Sequence, residues 1–169
     1  MMNINHDWAK FIETLASSYP KAYAYLYGDQ QHNTIYGTIL FFSIWNGTLV
    51  LSTIDGLPYD SSTPCENRMF AFHIHEGATC TGTESDPFAD TGLHYNPNNC
   101  DHPEHAGDMP PLFGNLGYAF QLFYTERFLP EDVVGHTCIL HEAPDDFTTQ
   151  PSGNSGKKIA CGEIKNILP

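Results

Sequence analysis

The chain has 169 residues, a length that suits one domain and lets it bury a core without needing metal to fold. Twenty acidic residues against seven basic ones give a net charge of −13, which argues against nucleic acid and anionic membrane surfaces as partners, since both select Lys and Arg. No run is long and apolar enough to span a bilayer, and the start MMNINHDWAKFIETLASS lacks the order of a secretory signal, so a cytoplasmic location is expected, a signal already removed being the alternative.

Trp8, Phe11, Ile12 and Leu15 recur at helical spacing, with Asn5 or Asp7 as N-cap and Pro20 as stop. This predicts one amphipathic helix over residues 1–20, packed on its own domain; the alternative is a dimer or partner contact. From residue 21 the pattern changes to strands. Ala22–Tyr27 alternates, Ile35–Trp45 is β-prone, Asn46-Gly47 marks a two-residue hairpin turn, and Thr48–Ile54 returns. After a Gly/Pro/Ser/Thr loop, Met69–His75 is the next strand. Residues 76–116 are dominated by Gly, Pro, Asn, Asp, Thr and His, and long loops of this kind in compact domains are usually functional. Tyr118–Tyr124, Val133–His141 and Lys158–Lys165 complete the strands, with an irregular stretch at 142–157. Short strands separated by turn signals predict an antiparallel sandwich or barrel over residues 21–169.

Histidine placement carries the chemistry. His73 and His75 lie two apart on a predicted strand and therefore share a face. His102, His105 and Asp108 are spaced by three, but Pro103, Gly107, Pro110 and Pro111 oppose a helix there, so a loop folding around an ion is expected. With His94 they supply four ligands of the types zinc takes. His73, His75 and His141 leave an all-nitrogen set suited to copper or zinc. If His94 joins them as well, its two ring nitrogens let one side chain serve both sites. The five cysteines, an odd number, do not read as a dense disulfide framework. Cys138 lies three residues before His141, so on a regular strand it faces the other way and reads as a buried thiol. Cys65 and Cys100 fall in loops and read as free thiols, a second disulfide being the less favoured alternative.

These residues resemble the copper–zinc superoxide dismutase family, from about Lys21 to Ile164. FHIHE resembles the strand with two copper ligands, GLHYNP the segment with the bridging histidine, and DHPEHAGD the zinc-binding run. VVGHTCILHEAPDD resembles the strand with the last copper ligand, and GNSGKKIACG the segment near the C-terminus. The resemblance implies an all-β Greek-key β-sandwich or barrel with long metal-binding loops, to which this chain adds the N-terminal helix. It implies copper on His73, His75, His94 and His141, and zinc on His94, His102, His105 and Asp108. It further implies an Asp145 carboxylate that accepts hydrogen bonds from His73 and His102, and a disulfide between Cys80 and Cys161.

The implied activity converts superoxide to dioxygen and hydrogen peroxide through copper cycling between two oxidation states. His94 and Lys158 are the implied catalytic residues. His94 leaves copper and is protonated in the first half-reaction, then returns its proton to the forming peroxide. Lys158 stands where the family usually has arginine and would attract the anion; it keeps the charge but lacks the planar fork of donors. The HIHE strand continues with GATC rather than an aromatic-Gly-Asp stretch. The run from His102 to His105 and the loop from Glu142 to Lys157 are short, an expectation of a more open copper side and weaker electrostatic steering. The alternative reading is a non-enzymatic dismutase-like protein that binds or stores copper or zinc. The expected partners are the superoxide anion and, through a homodimer, a second copy of the chain.

Overall fold

The computed structural model describes residues 14–63 and 68–167. Of the predicted N-terminal helix, residues 14–17 are helical; Trp8, Phe11 and Ile12 lie outside the described residues, as does Cys65. Leu15 packs against a cluster formed by Leu40, Phe42, Ile44, Leu49, Leu51 and Tyr124, so this turn does sit on the domain. Among the described residues no helix is long and apolar enough to cross a membrane.

Among the described residues ten strands follow: β1 (Ala22–Gly28), β2 (Tyr36–Ile44), β3 (Gly47–Asp55), β4 (Met69–Phe70), β5 (Phe72–His75), β6 (Leu112–Phe113), β7 (Ala119–Thr125), β8 (Thr137–His141), β9 (Lys158–Glu163) and β10 (Lys165–Asn166). The main antiparallel sheet runs β5-β8-β9-β1-β2-β3-β7, with β10 also on β1, and β4 pairs separately with β6. Chain order and sheet order part company after β3. The chain crosses to β5 at the far edge and returns through β7 beside β3, as a Greek key requires. The sheet curls around one core.

Alternation decides which side chains enter that core. Ala22, Ala24 and Leu26 of β1 point inward and Tyr23, Tyr25 and Tyr27 outward. Ile39 and Phe41 of β2, Val50 and Ile54 of β3, and Phe72 and Ile74 of β5 join them inside. Each fully buried Phe or Ile contributes about 1.5–3 kcal/mol relative to exposure.

The hairpin between β2 and β3 differs from the sequence expectation by one residue. Ile44 pairs with Gly47, so the two-residue turn is Trp45-Asn46 and Gly47 belongs to the strand. Trp45 takes the left-handed conformation, φ 53°. Gly47 is needed elsewhere: a Cβ there would stand 2.2 Å from the Thr125 carbonyl oxygen of β7. This register leaves Leu40, Phe42, Leu49 and Leu51 on one face. The predicted strand Met69–His75 is interrupted at Ala71, whose N–H and C=O pair with Ala143 and His141.

Candidate metal centre

The same alternation that sends Phe72 and Ile74 inward sends His73 and His75 outward, onto the outer surface of the barrel. They are nonetheless buried, because the long loop roofs them. Two backbone hydrogen bonds fasten that roof to β5 and a third ties the roof to itself. Tyr95 N–H donates to Ile74 C=O at 2.8 Å, Ile74 N–H to Gly107 C=O at 2.8 Å, and Gly107 N–H to Tyr95 C=O at 2.9 Å. Only glycine permits this approach, since a Cβ on residue 107 would lie 2.3 Å from the Ile74 oxygen. The predicted strand ligand His141 ends β8, where the pairing with β9 shifts register between Leu140 and His141.

Two four-residue groups result: His73, His75, His94 and His141, and His94, His102, His105 and Asp108, each with its ligand atoms within 4.8 Å of one another. Every residue the sequence suggested as a ligand is in one group or the other, and His94 is in both. The first group is borne by strands apart from His94; the second lies on the roof loop. The ligands of the first group are buried, His75 keeping 2% exposure and His94 and His141 4% each.

Hydrogen bonds set each ring's tautomer. Asp145 and the backbone carbonyls only accept and belong to neither group, so the ring nitrogen facing one of them carries the proton and the other nitrogen offers its lone pair. His73 Nε2 and His102 Nε2 donate to Asp145 Oδ2 and Oδ1, both at 2.9 Å. His75 Nδ1 donates to Gly92 C=O at 3.0 Å and His141 Nδ1 to Gly156 C=O at 3.4 Å. The bare nitrogens then converge. His75 Nε2 and His141 Nε2 lie 3.3 Å apart, lone pair against lone pair, an arrangement that a shared cation relieves. His73 Nδ1, His94 Nε2 and His102 Nδ1 are buried with no hydrogen-bond partner. Unpaired buried polar atoms are costly, and three in one place fit metal ligands.

In the second group the spacings match a tetrahedral zinc shell, whose ligand atoms stand roughly 3.3 Å apart. His102 Nδ1 is 3.1 Å and His105 Nδ1 3.2 Å from Asp108 Oδ2, and His105 Nδ1 is 3.4 Å from His94 Nδ1. His94 Nδ1 faces Asp108 Oδ1 at 2.7 Å, while its Nε2 has no such partner.

Burial shapes the titration. It holds His73 and His75 below the ordinary imidazole value, with neighbouring rings adding to the effect at His75. Burial and then His73 bring His141 to about 3. Neutral imidazoles are the form that binds metal. Burial alone would raise Asp145, but bonds from His73, the Phe147 N–H and His102 outweigh it and hold the carboxyl at about 2. At Asp108, too, burial raises the pKa, and His94, His102 and His105 more than reverse it.

The family profile described as copper/zinc superoxide dismutase matches residues 35–164. The chain belongs to the copper/zinc superoxide dismutase family. Its relatives include a Cu-Zn superoxide dismutase of Aquifex aeolicus, 33% identical over 71% of this chain and 73% of that protein, and one of Deinococcus radiodurans, 30% identical over 81% of each. A superoxide dismutase-like protein of Bacillus subtilis is 34% identical over 55% of this chain and 54% of its own length. This family member is thus an oxidoreductase acting on superoxide, with copper and zinc as cofactors, and the two groups fit those metals.

Cys80 and Cys161 form the disulfide that the resemblance implied, with Cα atoms 5.7 Å apart. It ties the roof loop to β9 and closes a long segment, worth about 4 kcal/mol in the chain-entropy model. Cys138 is free and fully buried, and burial pushes its thiol pKa up; Cys100 is also free. Lys158 begins β9, and its Nζ donates to Phe88 C=O at 3.1 Å and Gly92 C=O at 3.5 Å, with Asp86 Oδ2 at 3.9 Å.

Several supporting residues escaped sequence reasoning. Arg127 Nη1 donates to three roof-loop carbonyls, those of Pro103, His105 and Asp108, at 2.9, 3.2 and 3.4 Å. Gln150 clamps His102 through both its C=O and its N–H. Gly153, at φ +66°, leaves room for Asp145: a Cβ there would fall 1.9 Å from Asp145 Oδ1. Glycine in the run GNSG was the one visible signal among these.

Proposed function

We propose that His73, His75, His94 and His141 hold copper, that His94, His102, His105 and Asp108 hold zinc, and that His94 bridges the two. The reaction takes two superoxide anions and two protons to dioxygen and hydrogen peroxide. Bound copper would supply the one-electron exchange, and bound zinc would fix and acidify the shared ring. The domain division goes with this reading: residues 21–169 form the dismutase domain, and residues 1–20 precede it.

The rest of the work falls to the chain. His94 Nδ1 is held on the Asp108 side, so Nε2 is the atom that can take up a proton and hand it to the nascent peroxide. Asp145 keeps the His73 and His102 rings in register with each other, each with its bare nitrogen toward its own group. Lys158 presents a cation beside the first group and shares the Gly92 carbonyl with His75. Asp86 offsets part of that charge, so anion attraction is weaker than an unopposed cation would give.

The observation that carries the reading is that His94 belongs to both ligand groups, with its Nδ1 beside Asp108 and His105 and its Nε2 buried without a hydrogen-bond partner. Metal analysis and a superoxide assay on reconstituted protein test it. Wild type should carry both metals and be active, and His94→Ala should bind each more weakly and lose nearly all activity. Full activity in His94→Ala would overturn the mechanism, and two tightly bound metals without activity in the wild type would favour storage.

A further inference from the structure

Two exposed glutamates occupy matching places beside the first ligand group. Glu76 follows His75 where β5 ends, and Glu142 follows His141 where β8 ends. Each grips both backbone groups of one residue on a facing segment. Glu76 N–H donates to Leu93 C=O at 2.9 Å, and Leu93 N–H donates back to Glu76 Oε1 at 3.4 Å. Glu142 N–H donates to Lys157 C=O at 2.9 Å, and Lys157 N–H donates back to Glu142 Oε1 at 3.1 Å. The residue just before each gripped one is a glycine, Gly92 or Gly156, and its carbonyl accepts from His75 Nδ1 or His141 Nδ1. Each glutamate thus braces the carbonyl that holds the histidine preceding it in sequence. Because β5 and β8 are antiparallel, the two braces act from opposite ends of the strand pair.

We infer that Glu76 and Glu142 are positioning residues for His75 and His141, acting through the Gly92 and Gly156 carbonyls; this rests on the assignment of those histidines to copper. The glycines explain why a brace is needed. They take φ +67° and +76°, and glycine has no Cβ to limit its backbone, so the direction of its carbonyl must be fixed from outside. A backbone bond alone leaves the next peptide free to swivel about it; the carboxylate supplies the second point. The side chains lie close against the glycines: a Cβ on Gly92 would stand 2.9 Å from Glu76 Oε1, and one on Gly156 2.8 Å from Glu142 Cγ. A fixed carbonyl keeps the proton on Nδ1 and the ring turned so that Nε2 faces the metal. The shorter return bond makes Glu142 the stronger brace. Glu76 reaches further, since Leu93 adjoins the shared His94 and the Gly92 carbonyl also accepts from Lys158 Nζ at 3.5 Å.

The test uses full-length protein loaded with copper and zinc. Chelator competition reads the affinity of each metal, and electron paramagnetic resonance of Cu(II) reads the arrangement of its nitrogen ligands. Glu142→Ala should weaken copper about tenfold, the low end for losing an outer support, leave zinc unchanged, and alter the Cu(II) spectrum. Glu76→Ala should give a smaller loss, felt at both metals. Two further variants separate reach from charge. Glu142→Gln keeps an oxygen acceptor at the same reach and should restore wild-type copper affinity and spectrum. Glu142→Asp keeps the charge but falls short, and should behave like Glu142→Ala. A wild-type spectrum and affinity in Glu142→Ala, equal loss of both metals in it, or rescue by Asp rather than Gln would overturn the inference. The brace stands on these readouts even in a wild type that proves inactive with superoxide, whereas unchanged copper binding in the variants of an active wild type refutes the brace alone.

Discussion

The two ligand groups share His94 yet are held in place by different means. His73, His75 and His141 ride on paired strands, where the ladder between β5 and β8 fixes where each ring points. His102, His105 and Asp108 sit on irregular backbone, and their position depends on tethers from far along the chain: Arg127, Gln150 and Asp145. A strand site therefore inherits its precision from the fold, whereas a loop site must be assembled from individually modest hydrogen bonds of about 0.5–1.5 kcal/mol each, or 1.5–3 where a charge takes part. The loop group should thus be the easier of the two to loosen selectively.

Among the described residues Asp145 is the one carboxylate bonded to both regions, so its loss should have the largest effect and erase the contrast. Asp145→Ala should weaken both metals by about 10–100-fold, since the rings lose the partner that fixes tautomer and orientation. Chelator competition measures this; loss confined to one metal would show that the bridge between the groups does not matter.

Acidification should bear on the strand group. In the metal-free protein His73, His75 and His141 are held below their unfolded values, His141 at about 3. The unfolded chain therefore binds more protons as the pH falls below about 6.5, and each such group removes up to about 1.4 kcal/mol of stability per pH unit. Their contribution is complete above the unfolded value and is lost as pH falls toward the folded one. Asp145 has the same sign in a lower window: its contribution is present above the ordinary carboxylate range and lost as pH approaches 2. Urea unfolding of metal-free protein from pH 7 to 4 should show a steadily falling midpoint; a flat profile would contradict the burial of neutral rings.

Arg127→Ala should give the smallest effect and the sharpest contrast. It frees three roof-loop carbonyls without touching a strand ligand. Affinity at the loop group should fall by about tenfold, as expected for losing an outer support, with little change at the strand group. Hydrogen exchange should rise over residues 102–108. Equal weakening of both groups would mean that loop and strand sites are not held independently.

The sequence revealed these regions unequally. Alternation in MFAFHIHE was enough to put His73 and His75 on one face, because strand geometry is local. The proline-bearing run DHPEHAGD announced a loop and its ligands, but not what holds it there. Arg127 and Gln150 carry no local mark of their role, since their partners lie 19 or more residues away. Asp145 was singled out by resemblance; spacing alone would have left it a solvated loop acid. The slip of the β2–β3 turn has the same origin: Asn46-Gly47 is a good turn by local chemistry, but Gly47 is reserved for close approach to Thr125.

The shared ring is the central claim, and magnetic coupling tests it most directly. Both groups can be loaded with Cu(II), whose affinity for nitrogen-rich sites is high. If His94 joins the two ions through its ring, their unpaired electrons should couple, and the electron paramagnetic resonance intensity should fall below that of two independent spins and vary with temperature. His94→Ala loaded in the same way should recover the full uncoupled intensity. Two independent spins in the wild type, with both sites demonstrably filled, would contradict the bridge.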